Sequence, residues 1–524
     1  MAADEVIRRL RPWLIVVTLC LFTCSVYYFS LAPTITWQHQ GADSGDLATA
    51  VAVGGVPHPS GYPTYLLLAE LFSTLPLGGD VAYRLNLMSA VCAALAVALL
   101  YLAAVQTLSR PIREKFQPVG GEGREESVPL DLAEVSALVA ALTFAFSPLF
   151  WSQAVIAEVY ALNALLVALL LWLALRVRAG SGGCLGWLCL AMGLALGNHL
   201  AVILVLPLIL ALVWPAYRQQ SRGRRLGLIL LLLAGLSVYG IIPWRAASQP
   251  PVNWGGADHW QGLSWLVTGE PYHAYVFSLP WEYAGARLLA LVQILVQALA
   301  WWGLPVAFWG WRLMLRHDRT LAAGSLLTVG LIGMYTVSYS TADSYLYLLP
   351  ALMLMSLWLA WGVLDLLRRV RAHPLRIRVA WALLVLPVVS MALNFSVVSL
   401  HGDRTALDFA EKALDRAAPS ALILVDDDRH TFALWYARYA LGQRPDVAIV
   451  NVRLLHYDWY QASLAKAHPD LERASRLESL NQRNIGRHPV YALGDTLNLP
   501  AQFAIRAVAD VPQLQQVGEA TKEP

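Results

Sequence analysis

Charge is what this chain has least of. Asp, Glu, Lys and Arg make up 14% of its 524 residues, where a soluble domain carries about 25%. That excludes an ordinary soluble globule. The 38 basic and 35 acidic residues nearly cancel, for a net charge of +3, so there is no overall basic character to suit nucleic acid. Cysteine is scarce as well. The five thiols, Cys20, Cys24, Cys92, Cys184 and Cys189, all lie in apolar segments. They leave the polar C-terminal region without a disulfide framework and read as small buried hydrophobes. A phosphate-cradling Gly–Lys loop, a dinucleotide fingerprint and a Cys/His metal spacing are all missing. The 12 histidines are scattered, so no zinc site can be argued from them.

Long apolar runs are abundant: 57% of the chain is hydrophobic. A membrane span needs roughly 20 apolar residues. Eleven candidate segments have cores near 13–31, 86–107, 133–149, 159–175, 184–197, 199–216, 226–243, 286–311, 321–339, 345–366 and 379–398. The expected fold class is therefore a polytopic α-helical membrane protein. The first run follows Arg8, Arg9 and Arg11 and exceeds the roughly 7–15 apolar residues of a cleavable signal. It reads as a retained anchor with a cytoplasmic N-terminus.

The arginines support that orientation. Arg110, Arg113 and Lys115; Arg176 and Arg178; Arg218, Arg222, Arg224 and Arg225; Arg312, Arg316 and Arg319; and Arg368, Arg369, Arg371, Arg376 and Arg378 all fall on one side of the predicted spans. Clustering of this kind marks the cytoplasmic face. Residues 117–127 form a Gly/Glu-rich linker on that side. Residues 32–85, 150–158, 244–285, 340–344 and the C-terminal region then lie outside. A bacterial inner membrane is expected from the compact form of the chain, with the C-terminal part periplasmic or extracellular.

Two domains are predicted, 1–400 in the membrane with large outer loops 32–85 and 244–285, and 401–524 outside it. Residues 403–417 read as an amphipathic helix, 421–425 and 446–450 as short strands, 431–441 as a helix and 490–493 as a third strand. This alternation suggests a small α/β unit with a parallel sheet. The last dozen residues read as a frayed tail. Residues 63–75 suit a short interfacial helix. Trp244, Trp254, Trp260, Trp265, Tyr272, Tyr275, Trp281 and Tyr283 make either an interfacial belt or a wall for a sugar or an isoprenoid chain.

Charge at a membrane boundary is costly and tends to mark function. Asp43 and Asp46 stand there, three residues apart, just past the first span. Such a pair can supply a general base or hold a divalent cation; alternatively Asp43 or Ser44 caps a helix. The rigid turn Val56-Pro57-His58-Pro59-Ser60-Gly61-Tyr62-Pro63 follows, with His58 and Tyr62 as its polar groups. Glu158 is the sole acid of a long apolar stretch, either an acceptor-binding group or a solvated loop carboxylate. Asn198 and His199 face a polar cavity, or else Gly193 and Gly197 merely let helices approach. Arg245 suits a phosphate or snorkels to the head groups. Asp426, Asp427 and Asp428 read as a solvated turn and helix start rather than a metal run.

Taken together, Asp43-Ser44-Gly45-Asp46, His58 to Pro63, Arg84-Leu85-Asn86, Gly197-Asn198-His199, Arg245, Asn253-Trp254-Gly255, Leu434-Trp435-Tyr436 and Arg444-Pro445-Asp446 resemble the domain-of-unknown-function 2723 family. That family includes the transmembrane protein 260 O-mannosyltransferases. The resemblance covers nearly the whole chain, and its most specific part is the block from Asp43 to Pro63. It implies a C-type glycosyltransferase superfold, a polyprenyl-phosphate sugar donor and a protein or glycan acceptor. It further implies Asp43 as catalytic base, with Asp46 (where the family has Glu) and Glu158 as further acids. His58, His199 and Arg245 would contact the donor phosphate, and Tyr62, Asn198 and Trp254 would bind substrate. The residues themselves require no metal, although Asp43 and Asp46 together suit a divalent cation. A transporter or flippase of a lipid-linked amphiphile is the alternative that many spans and sparse buried charge also allow; a membrane scaffold leaves the acidic loop unexplained.

Overall fold

The computed structural model describes residues 2–109, 130–472, 474–493, 503–511 and 513–519. The predicted cytoplasmic linker 117–127 and the basic residues Arg110, Arg113 and Lys115 lie outside these. Among the described residues, eight helices are long and apolar enough to cross a membrane, or nine if a bent pair counts as one span. Each of the eleven predicted segments holds a helix: the first lies in the 28-residue helix Ala2–Phe29, with Trp13–Phe29 as its apolar part, and the fifth is the shorter apolar helix Cys184–Leu196.

The bent pair is the third predicted span, Leu132–Ala145 and Pro148–Ala154, which meet at 69°. Ser147 has extended backbone and caps the second helix through Phe150 N. Proline after it disfavours helical geometry at Ser147 and opens the next helix instead. The turn brings residues 150–158 back over the end of the bundle. Leu349–Arg369 runs through the middle of the molecule with its flanks almost wholly buried. It crosses Trp281–His317 so closely that a Cβ on Gly310 would collide with the carbonyl oxygen of Trp358. Apolar lipid gives helices little reason to associate, so small residues that let backbones touch carry such contacts. Gly193 meets Gly235 of the helix Arg222–Leu236 in the same way, a close approach of the kind the sequence suggested.

Beyond the helix His373–Val398 the chain forms a small α/β unit. Thr405–Arg416 is the amphipathic helix. Five strands follow: β1 Leu422–Val425, β2 Ala448–Asn451, β3 Val490–Leu493, β4 Phe503–Ala507 and β5 Leu514–Glu519. Their order is β2-β1-β3-β5-β4. β1 pairs in parallel with β2 and β3, with Leu422 opposite Ala448 and Val490. β5 runs antiparallel between β3 and β4, with Val490 opposite Val517. The sheet is therefore mixed rather than parallel, and much of the expected tail is a paired strand. β1, β2 and β3 are buried throughout, which is why they read as unbroken apolar runs. β5, written Leu-Gln-Gln-Val-Gly-Glu, has no such signature.

The segments expected outside the membrane all meet at one end of the bundle. Ala32 N donates to Val155 O at 3.1 Å, and Val56 N to Val252 O at 3.0 Å. Ser340 N donates to Tyr275 O at 3.0 Å. Trp37 Nε1 reaches Arg429 O at 3.0 Å, and the Arg429 guanidinium lies 4.0 Å above the Trp37 ring.

Candidate active site

Residues 38–43 enter the site as a distorted turn in which His39 and Gln40 take positive φ. The helix Ser44–Ala52 then starts. Asp43 occupies its cap position but makes no side-chain capping bond, so the capping alternative does not account for its carboxylate. That carboxylate keeps 41% of its side-chain surface open.

Asp46 is the opposite case. It is fully buried, and both its oxygens are engaged. Oδ2 accepts from His58 Nδ1 at 2.7 Å and from His58 N at 2.8 Å; Oδ1 accepts from Trp254 Nε1 at 3.2 Å. The other edge of the His58 ring faces outward: Nε2 lies 3.5 Å from Asp43 Oδ2 and 3.2 Å from the Tyr62 hydroxyl. The hydroxyl itself donates to Pro59 O at 2.9 Å. His58 is therefore held between two unequal carboxylates, one enclosed and one open. The His58 imidazole lies between Asp43 and Asp46 and occupies the place where a cation shared by the two would sit. Among the described residues no group of three or more His, Cys, Asp or Glu is arranged to hold a metal.

Burial disfavours charge on His58, but Asp43 and the hydrogen bond to Asp46 outweigh it and lift the imidazole to about 9. Burial likewise pushes Asp43 up to about 6, against the pull of His58 and with help from Asp428, Asp343 and Asp46. At neutral pH the pair is thus a carboxylate beside an imidazolium. A base is most useful when its pKa lies just below the working pH.

The loop carrying His58 is fixed from three directions. Gly61 N closes a turn onto His58 O at 2.9 Å, and Trp254 N donates to Val56 O at 3.1 Å. Arg245 Nη1 holds Gly55 O at 3.1 Å, and the buried guanidinium pairs with Glu70. Arg245 does not snorkel: its guanidinium is buried, engaged through Nη1 with Gly55 and paired with Glu70, while its Nε is left without a hydrogen-bond partner.

Glu158 is 3% exposed, so the solvated alternative does not hold. It precedes the helix Val159–Arg178 without capping it through its side chain, and its Oε1 has no partner. Burial, then the charge of Asp43, pushes it well above the usual carboxylate range. His199 Nδ1 accepts from Ala201 N at 3.1 Å, so its proton sits on Nε2. Its ring packs among Tyr62, Tyr160 and Tyr347 at 5.6–6.3 Å. His199 is a neutral donor, unlike His58.

Of the three expected substrate-binding residues, Tyr62 is engaged with Pro59 and Trp254 with Asp46, while Asn198 Nδ2 donates to Val159 O at 3.2 Å and its buried Oδ1 has no partner. The sequence missed the wall that the C-terminal unit builds. Phe432 stacks on His58, with centroids 6.2 Å apart and planes 18° off parallel. A Cβ on Gly45 would come within 2.6 Å of Phe432 O, so only glycine lets the helix Asp428–Trp435 rest there. That helix begins three residues before the predicted one, and Asp426, at 5% exposure, is not the solvated turn residue expected. Distance along the chain hid these contacts. The one available signal was that 340–344 and the C-terminal region fell on the same side as Asp43.

The family described as "Protein O-mannosyl-transferase TMEM260 N-terminal domain" matches residues 43–223, beginning at Asp43 itself. "TMEM260-associated domain 2" matches residues 406–472, which include the helix over the site. The chain thus resembles the TMEM260 proteins both in its N-terminal membrane part and in its C-terminal unit. It is 27% identical over 463 residues to the protein O-mannosyl-transferase TMEM260 of Mus musculus, covering 82% of this chain and 62% of that one. With the protein O-mannosyl-transferase tmem260 of Dictyostelium discoideum it shares 20% over 552 residues, 91% of this chain and 63% of the other. The TMEM260-like chain thus spans about three fifths of the length of these relatives. Both are eukaryotic, so the expectation of a bacterial membrane draws nothing from them. The fold is that of ArnT from Cupriavidus metallidurans. The undecaprenyl phosphate-bound form superposes with a TM-score of 0.61 at 14% identity over 98% of this chain and 99% of that one. The apo form gives 0.56 at 16% identity over 99% and 98%.

Proposed function

We propose that this protein is a membrane glycosyltransferase. It moves a sugar, mannose by analogy with the named relatives, from a polyprenyl-phosphate carrier to a hydroxyl of a polypeptide or glycan. The carrier class follows the lipid named with the ArnT neighbour. The reaction takes place at the extracytoplasmic face, because the basic clusters lie on the other side of the predicted spans.

One observation carries this reading: an open Asp43 carboxylate stands against an imidazolium whose far side is anchored by buried Asp46. In a single displacement the acceptor oxygen bonds to the anomeric carbon as the bond from that carbon to the phosphate oxygen breaks. The acceptor proton passes to Asp43, and the phosphate leaves with the bonding electron pair. One displacement inverts the anomeric centre, and the sugar passes through an oxocarbenium-like transition state. His58 offers a fixed positive charge to the phosphate as its negative charge grows. Arg245 serves as a strut for the loop, His199 offers a neutral hydrogen-bond donor, and Glu158 adds a buried carboxyl whose Oε1 is free of other partners.

The test uses the purified full chain in detergent or liposomes with polyprenyl-phosphate mannose and a peptide rich in Ser and Thr. Label transfer to peptide, with inverted stereochemistry, is expected. Lipid translocation without transfer, across a panel of lipid-phosphate sugars, would overturn the reading in favour of a flippase.

A further inference from the structure

The run Asp426-Asp427-Asp428 divides its work unevenly. Asp426 is buried at the end of β1. Asp427 caps the following helix, accepting from His430 N at 2.8 Å and from His430 Nδ1 at 2.7 Å. Asp428 is exposed, and its recorded contact is a marginal one, Asn451 Nδ2 to Oδ1 at 3.5 Å. Arg429, the next residue, is turned onto Trp37 and does not neutralise it.

The position of Asp428 is rigidly set. It opens the helix Asp428–Trp435, whose Phe432 lies on Gly45 and stacks on His58. The first turn of that helix is thereby placed next to the catalytic pair. Asp43 feels the charge of Asp428, Asp428 feels that of His58, and the Tyr272 hydroxyl feels both carboxylates. An exposed carboxylate beside the proposed base, supplied by another part of the chain and balanced by the nearby charges of His58 and Arg453, keeps hydrogen-bond acceptor positions open to a donor.

We infer that Asp428 binds the acceptor polypeptide, taking a hydrogen bond from a main-chain N–H next to the hydroxyl-bearing residue, so that the C-terminal unit forms the acceptor side of the active site. This rests on the transferase reading above. The donor side needs negative charge less: the carrier phosphate is itself an anion and is repelled by a carboxylate, whereas a peptide N–H is not. The role is that of a substrate-binding residue rather than a base.

The test compares wild type with Asp428→Asn, Asp428→Ala and Asp428→Glu in the full-length protein, using polyprenyl-phosphate mannose and a synthetic Ser/Thr peptide. Lost hydrogen bonds to charged groups cost about 10–100-fold in binding. The peptide KM is expected to rise about 10–100-fold in Asp428→Ala and less in Asp428→Glu. The kcat, the donor KM and the slow transfer of sugar to water should stay within about twofold. Retained water transfer shows that each variant is folded and can bind donor. An unchanged peptide KM, or a fall in kcat at unchanged peptide KM, would overturn the assignment. A wild-type protein that transfers no sugar at all would instead strike down the transferase reading itself.

Discussion

His58 Nδ1 lies 2.7 Å from Oδ2 of Asp46, and the same oxygen also takes the His58 backbone N–H. One buried carboxylate thus fixes both the position of the ring and the direction of its remaining nitrogen. It turns Nε2 toward Asp43 and makes the two aspartates chemically different.

That difference gives a pH signature. Asp43 must be ionised to accept a proton, and its pKa is raised to about 6. Activity should therefore rise as pH increases through about 6. His58 must be protonated to offer charge, and it is held up at about 9. Activity should fall again as pH passes about 9. The kcat/KM profile is expected to be bell-shaped, with both limbs belonging to the interacting pair rather than to either residue alone.

Asp46→Asn removes the charge and the acceptor that help keep His58 protonated. The basic limb should then move down from about 9, which a pH–rate profile would show directly. Asp46→Ala goes further and leaves a buried imidazolium unpaired on that side. Removing one partner of a buried ion pair typically costs about 3–5 kcal/mol, so a lower thermal midpoint is expected along with lost activity.

Glu158 should behave unlike Asp43. It is buried, partnerless at Oε1 and pushed well toward the neutral acid, and a neutral carboxyl is mimicked by an amide. Glu158→Gln is expected to keep activity within about threefold under the same assay, whereas Glu158→Ala, which loses the polar group altogether, should cost about 10-fold or more.

Gly45→Ala tests the contact between the two parts of the chain. Its methyl would meet Phe432 O at 2.6 Å, and the helix Asp428–Trp435 must lift to admit it. Overpacking of this kind costs about 1–3 kcal/mol. Because the lift also moves Phe432 off His58, peptide transfer should drop more than thermal stability alone explains.

Some of this was legible from residue order. The apolar runs located helices at each predicted segment, eight or nine of which among the described residues are long and apolar enough to cross a membrane. The Asp43–Pro63 block found the centre of the site because its charge and its prolines lie close together in the chain. The partition of labour between Asp43 and Asp46 was not legible. It depends on which carboxylate Trp254, about two hundred residues away, encloses. Asp428 and Phe432 were hidden for the same reason: nothing in a local run of acids announces the helix it will be packed against. The antiparallel strands β4 and β5 were missed because β5 is largely polar and sheet pairing, not alternation of apolar residues, defines it.

Asp43→Asn is the decisive substitution. It keeps the shape of the side chain and its place beside His58 but cannot take up a proton. Transfer of labelled sugar from polyprenyl-phosphate mannose to peptide should be measured in a single turnover, at saturating donor and pH 7.5. A fall of about 10²–10⁴-fold with donor binding retained is the expected result for loss of a general base. Transfer at the wild-type rate would contradict the assignment of Asp43.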